Sequence, residues 1–321
     1  MTTEGRPPMW HPRGLNNEWI VGATYAGVSH LPRRMTYGMG HVGAWLAYRF
    51  QPNGTAALVE NFRGIFPDRS EAELRALALR TYRSYARDTV DFMRSLDQPA
   101  DVIRRRVSRL ETAAFDAALA RGRGAIALSG HFGNWELAGV LLRRFTTYPL
   151  SVVAMREPDA EVSRIRYRLR AKLGIETIEV RQQLETAITI RRLLHQNRVV
   201  GMLLDRHVAK DYVQVTFFRR PAYFLRTPAM LAFFSGAPLI PSFVYRDEDD
   251  RLVVECGPAI EVPRTGDRDE NIRAASQAVA DVIERQIRAR PHYWYQFYRF
   301  WTSQDAVPRE AHDEAAASTA P

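Results

Sequence analysis

Residues 129–136, Ser-Gly-His-Phe-Gly-Asn-Trp-Glu, constrain the fold of this chain more than any other stretch. They follow a short apolar run, residues 125–128, and lead straight into the helix-like residues 137–142. A short apolar run bounded by glycine reads as a buried strand, and the apolar-rich segment after it as a helix. The chain must therefore turn from strand to helix within a few residues, carrying His131 in the turn and Glu136 in the first helical turn. Gly130 and Gly133 flank the histidine and permit close approach of backbone or ligand.

That address suits catalysis. A helix start offers unpaired N–H groups and a partial positive charge, which favour an oxyanion or phosphate. Histidine is the natural general base near neutral pH. Glu136 is placed to hold its far nitrogen, although a separation of five residues does not put the two on one face of a regular helix. The plainer reading is a loop histidine beside a glutamate that complements the helix dipole.

After this turn the pattern alternates. Strands are expected at residues 150–155, 176–179, 199–204, 239–245 and 251–256. Helices are expected at residues 159–173, 183–197, 227–234 and 271–290, with a hairpin at residues 213–224 turning at Arg219-Arg220. The alternation predicts an α/β fold whose largely parallel central sheet is covered by helices on both faces. Upstream, Ser70 and Glu73 form a capping box that opens a long amphipathic helix over residues 71–95, and residues 112–121 form a further helix. Residues 18–31 and 35–50 are two mildly apolar segments rich in aromatics and glycines with arginines between them. They suit either a hairpin lying in a membrane interface or two helices packed on the main domain. The expected organisation is a disordered start (1–17), an N-terminal helical or interfacial segment (18–54), a main domain (55–302) and a disordered tail (303–321).

Composition narrows the function. A single cysteine, Cys256, excludes a disulfide framework and a Cys-rich zinc site; it sits in a strand-like run and reads as a core thiol. A net charge of +9, carried mostly by arginine, predicts anionic partners. No nucleic-acid-binding motif or Lys-rich tract accompanies that charge, so nucleic acid is not expected. No secretory signal is expected from the polar, proline-rich first seventeen residues, and no run of about 18 or more apolar residues occurs in the sequence. No metal is expected, because His-x4-Glu is not the zinc-protease spacing; no Gly-x-Ser-x-Gly elbow is present either.

Three predicted strand ends deliver polar groups to the edge where α/β proteins bind ligands. These are His131 with Glu136, then Arg156, then Asp205-Arg206. Arg164, Arg168 and Lys172 recur every fourth residue and form one cationic stripe, which is either a phosphate-binding face or a solvated one. Phe217, Phe218, Tyr223, Phe224, Phe233 and Phe234 form an aromatic concentration that reads as core or as the lining of an acyl pocket. The aromatic run at residues 293–301 closes the fold near the site or forms an interfacial belt.

Residues 130–136 resemble the His-x4-(Asp/Glu) signature of glycerolipid acyltransferases, and their wording is most similar to the lipid A late acyltransferases. The phosphatidylinositol mannoside acyltransferases are also similar. The likeness continues through residues 148–158, 201–206, 231–241 and 291–295, and so covers about residues 55–300. It implies a glycerolipid acyltransferase-like fold and O-acyl transfer from a thioester donor, acyl carrier protein or acyl-CoA, with no further cofactor. The implied acceptor is a membrane glycolipid or lysolipid, and the implied location is the cytoplasmic face of the inner membrane, at an anionic surface, peripheral or monotopic. His131 and Glu136 are then the catalytic pair. Gly133, Asn134, Arg156, Arg164, Arg168, Asp205 and Arg206 are the expected substrate contacts. Lipid A members commonly carry an N-terminal membrane helix, from which this sequence departs. A thioesterase-like hydrolase using the same pair and a non-catalytic basic membrane-surface protein are the competing readings.

Overall fold

In the computed structural model, residues 27–28, 31–155, 160–180, 182–206 and 211–301 are described, without the side chains of residues 160–163 and 165. Residues 1–17, most of residues 18–31, Arg156 and residues 302–321 lie outside them.

Among the described residues, the long helices α1 (Arg33–Phe50), α2 (Pro52–Ile65) and α3 (Glu71–Ser95) come ahead of the sheet. Pro52 sits at the first position of α2, where a missing N–H costs nothing. The Ser70–Glu73 capping box opens α3 as expected. Then follow α4 (Ala100–Arg104), β1 (Val107–Leu110), α5 (Ala113–Ala120), β2 (Ala125–Ser129), α6 (Trp135–Phe145), β3 (Leu150–Ala154), α7 (Ala160–Lys172), β4 (Glu176–Glu179), α8 (Gln183–His195) and β5 (Val199–Leu203). The hairpin β6 (Val213–Phe217) and β7 (Arg220–Phe224) turns at Phe218-Arg219, both in the left-handed region. The chain continues through α9 (Thr227–Ser235), β8 (Leu239–Arg246), β9 (Leu252–Cys256) and α10 (Arg268–Ala289) to a single 3-10 turn, Pro291–Tyr293. Helix α10 starts three residues before the expected position because Asp267 caps it, accepting from the Glu270 N–H.

Seven strands form one sheet in the order β1-β9-β8-β2-β5-β3-β4. Every neighbouring pair is parallel except β8–β9. The predicted largely parallel α/β sheet with an N-terminal helical extension is thus what forms. One sheet face packs on α5 and α6, through residues such as Phe115, Leu142 and Leu150. The other packs on α8, α9 and α10, through Ile190, Leu231 and Ile283.

A buried ionic knot ties the helical extension to the sheet. Arg246 at the end of β8 pairs with Asp88 and Asp91 of α3, each at 2.6 Å. Asp91 also accepts from Arg106 at 2.9 Å and from the Tyr37 hydroxyl of α1 at 2.6 Å. Asp88 accepts from the Tyr295 hydroxyl at 2.6 Å. Charges this deeply buried are tolerated only when each is paired and hydrogen-bonded.

Candidate active site

The central strands β2 and β5 are parallel neighbours, with Ser129 directly opposite Leu203. Two residues past each strand end stand His131 and Asp205, so register alone brings them side by side. The His131 Nδ1 lies 2.6 Å from Asp205 Oδ1. Asp205 Oδ2 accepts the His131 backbone N–H at 2.9 Å, the Trp294 indole N–H at 3.2 Å and the Gln296 side-chain amide at 2.6 Å. The carboxylate is fully buried. Burial pushes its pKa up, but His131, its hydrogen bonds and Arg206 outweigh that and hold it at about 2. Burial lowers the His131 pKa and Arg206 lowers it further, against the opposing pull of Asp205. At neutral pH the site therefore holds an ionised Asp205 beside a neutral imidazole, with its Nδ1–H donated to the carboxylate.

This corrects the expected partnership with Glu136. Glu136 stands in the first turn of α6 and its carboxylate faces α7: Arg170 donates to it at 2.5 Å and 3.2 Å, and Arg166 lies 3.8 Å away. Burial raises its pKa, and Arg170 and Arg166 more than reverse this, leaving it lowered. Asp205, expected as a substrate contact, pairs with the histidine.

The turn itself is stitched to two distant segments. The Gly133 N–H donates to the Tyr293 carbonyl at 2.8 Å, the Asn134 N–H to the Val244 carbonyl at 2.8 Å, and the Tyr295 N–H to the His131 carbonyl at 2.8 Å. Gly133 adopts φ +61°, and a Cβ there would stand 2.0 Å from the Val244 carbonyl oxygen. A Cβ on Gly130 would stand 2.9 Å from the Asp205 carboxylate. Both glycines therefore admit neighbouring protein groups. Asn134 is buried; it caps α6 by accepting from the Leu137 N–H at 3.1 Å and donates to the Asp88 carbonyl at 2.8 Å. Gly133 and Asn134, expected as substrate contacts, shape the turn. The N–H groups of His131, Phe132, Gly133 and Asn134 all donate within the protein, so none of the four is open to serve as an oxyanion donor.

His131, Glu136 and Arg206 open onto a cavity of about 860 Å³ whose walls are mainly apolar. Of the α7 arginines, Arg166 and Arg170 line it, while Arg164 and Arg168 are exposed. The expected cationic stripe is thus out of phase: two residues along a helix is a rotation of about 200°. Arg206, the remaining expected contact, lines the cavity with its guanidinium over the Tyr298 ring and donates to the Gln296 side-chain oxygen at 3.1 Å. The aromatic concentration does not line it. Phe217 and Phe218 are buried against Trp294 and Trp301 in the core, Phe224 is buried against Phe217, and Phe234 is exposed. The aromatic run after Pro291 closes the fold beside the site, since Trp294, Tyr295 and Gln296 all grip the His131–Asp205 pair.

Along α1, Met35, Met39, Val42, Trp45, Leu46 and Phe50 are exposed. Their spacing lays them along one side of the helix, and Phe50 reaches the cavity rim. Among the described residues, no helix is long and apolar enough to cross a membrane.

Comparison with known proteins adds to this geometry. The profile of the bacterial lipid A biosynthesis acyltransferases matches residues 3–303. A phosphatidylinositol mannoside acyltransferase of Mycobacterium tuberculosis (strain ATCC 25618 / H37Rv) is 28% identical over 307 residues, spanning 92% of this chain and 91% of the relative. One of Mycolicibacterium smegmatis is 27% identical over 321 residues, spanning 97% and 99% respectively.

Proposed function

The chain belongs to the bacterial lipid A biosynthesis acyltransferase family, and from that membership and the site geometry we propose how this acyltransferase of glycolipid biosynthesis works. His131, oriented by Asp205, is the general base for transfer of a fatty acyl chain from a thioester donor to a hydroxyl of a membrane glycolipid or lysolipid. The observation that carries the reading is the 2.6 Å pairing of His131 Nδ1 with a fully buried, ionised Asp205 at the mouth of an apolar cavity. With Nδ1–H engaged, the Nε2 lone pair is the basic one. Nε2 takes the proton of the acceptor hydroxyl as its oxygen attacks the thioester carbonyl carbon. The tetrahedral intermediate carries its negative charge in the field of Arg206. It collapses by breaking the C–S bond, and His131 returns its proton to the departing thiolate. The ester stays on the acceptor and no covalent enzyme intermediate is required.

The Glu136–Arg170–Arg166 cluster then serves the substrates. Arginines held by a buried carboxylate on the cavity wall suit the phosphates of a phosphopantetheine-bearing donor, acyl carrier protein or coenzyme A, or of the acceptor headgroup. The exposed apolar side of α1, with Arg34 and Arg49 near its two ends, is suited to rest in the interface of an anionic membrane and bring the cavity rim to the lipid.

The test is transfer of a labelled acyl chain from an acyl thioester to vesicle-borne mannosylated phosphatidylinositol or lipid A precursors. Wild-type protein forms labelled glycolipid. His131→Ala, folded by circular dichroism, loses about two to four orders of magnitude in rate. A fully active His131→Ala protein would refute the mechanism.

A further inference from the structure

Two glycines, Gly201 of β5 and Gly139 of α6, line the cavity. On the α6 face of the sheet, strand register aligns Ala127, Gly201 and Val152 in one row across β2, β5 and β3. This row lies at the middle of the sheet beneath a helix, where residues are normally sealed, yet all three are only half-buried and all three line the cavity. The next row down, Ala125, Val199 and Leu150, is closed, at 0%, 0% and 2% exposure. The space therefore runs between sheet and helix from the level of Ser129 and Leu203 and stops above that second row. Four residues of strand separate the two levels, a depth of about 13 Å. Opposite the row, α6 contributes Ala138 and Gly139 to the wall, and Ile175 and Leu150 form the foot.

The shortage of side-chain bulk is what keeps this slot open. A Cβ on Gly201 would meet Val152 Cγ1 at 3.5 Å, and one on Gly139 would meet Ile175 Cδ1 at 3.5 Å and Leu150 Cδ2 at 3.8 Å. These are ordinary contact distances, and neither glycine has the positive φ that would require glycine for its backbone. A glycine inside a strand or helix is otherwise unfavourable. Empty volume here gives up packing that an alanine at either position would supply at ordinary contact distance. The occupant that fits is an apolar chain, because the space is closed below by Ala125, Val199 and Leu150 and is lined on both walls by Ala, Gly, Val and Leu.

We propose that Gly201 and Gly139 determine the length of the fatty acyl chain this enzyme transfers. Gly201 gauges the middle of the slot and Gly139 its foot. This rests on the acyl-transfer reading above and adds the specificity-determining residues. Gly201→Ile, in a strand that favours β-branched residues, and Gly139→Leu, in a helix that favours leucine, fill the slot at two depths. The gauge predicts that Gly201→Ile shortens the preferred chain more than Gly139→Leu does, with Gly201→Ala intermediate between wild type and Gly201→Ile.

The experiment uses the full chain in two measurements. The first is kcat/KM over a ladder of saturated acyl thioesters from octanoyl to stearoyl with one acceptor, repeated with one donor and acceptors of varied lipid-chain length. The second is calorimetric binding of the matching free fatty acids, which needs no turnover. The expected result is that kcat/KM for the longest donors falls about 10-fold or more for each methylene that no longer fits. It holds for the short donors, the fatty-acid binding optimum moves the same way, and melting temperatures do not fall. Unchanged chain-length preference in both measurements with both variants folded overturns the gauge. A shift that follows the acceptor ladder instead overturns its assignment to the donor chain. If no transfer occurs while fatty-acid length selection still moves with Gly201, the gauge stands and the acyl-transfer reading is what fails. If Gly201→Ile does not fold, Gly139→Leu decides by the same readouts.

Discussion

His131 Nδ1 and Asp205 Oδ1 lie 2.6 Å apart although 74 residues separate them in sequence, because each follows by two residues the end of one of two paired parallel strands. Removing that carboxylate while keeping its shape tests the relationship. Asp205→Asn is expected to lower kcat by about 10³- to 10⁴-fold, the scale seen when a catalytic histidine loses its orienting carboxylate. Steady-state kinetics on the folded variant checks this.

The pH dependence follows from the same pair. His131 must be neutral to act, and its pKa lies below the ordinary 6.5. The acid limb of kcat/KM therefore falls below pH 6.5 in the wild type. Asp205 raises the histidine pKa, so in Asp205→Asn the limb moves to still lower pH. A pH–rate profile of both proteins reads the sign.

Acid stability has a defined direction as well. Asp205 and Asp91 are each depressed from 3.8 to about 2 in the fold. A depressed carboxylate contributes stability that is fully present above the unfolded pKa and is lost as pH falls through the folded one. Each contributes about 2 kcal/mol, withdrawn between about pH 4 and pH 2. Asp88, raised by burial despite Arg246, opposes them. Melting temperature followed from pH 6 to pH 2, at intervals of about one unit, should fall steeply in the last part of that range.

Glu136→Gln separates two meanings of the His-x4-Glu spacing. The carboxylate is engaged by Arg170 and Arg166, so its loss is expected to loosen the cationic wall, raise KM and leave the acid limb where it was. A shift of the limb comparable to that in Asp205→Asn would return the histidine-holding role to Glu136.

Gly133→Ala should not yield folded protein. The new Cβ would lie 2.0 Å from the Val244 carbonyl at a φ of +61°, and backbone on both sides is fixed by hydrogen bonds to Val244 and Tyr293. Soluble expression and thermal unfolding are the readouts.

Local rules made parts of this molecule legible in the sequence. Ser70 and Glu73 announce a helix start, and the apolar run ending at Leu128 announces the turn that carries His131. Non-local relationships were not legible. The chain passes through β3 and β4 before β5 returns beside β2, so the meeting of Asp205 with His131 depended on a strand order that no spacing encodes. Glu136, five residues from the histidine, looked the nearer partner. In helix α7 the arginines fall on two opposite sides, Arg164 with Arg168 and Arg166 with Arg170, flanking the apolar positions Val162, Ile165 and Leu169, so the pattern alone does not say which pair faces the cavity. The aromatics near Phe217 carried no sign of whether they faced a cavity or the core.

Asp205 is expected to hold the catalytic histidine through its bond to Nδ1. The most direct test is the pH profile of kcat/KM for acyl transfer by Asp205→Asn beside the wild type. The expected result is a loss of about 10³-fold or more together with an acid limb displaced to lower pH. Wild-type turnover with an unmoved limb, in a protein that folds, would contradict it.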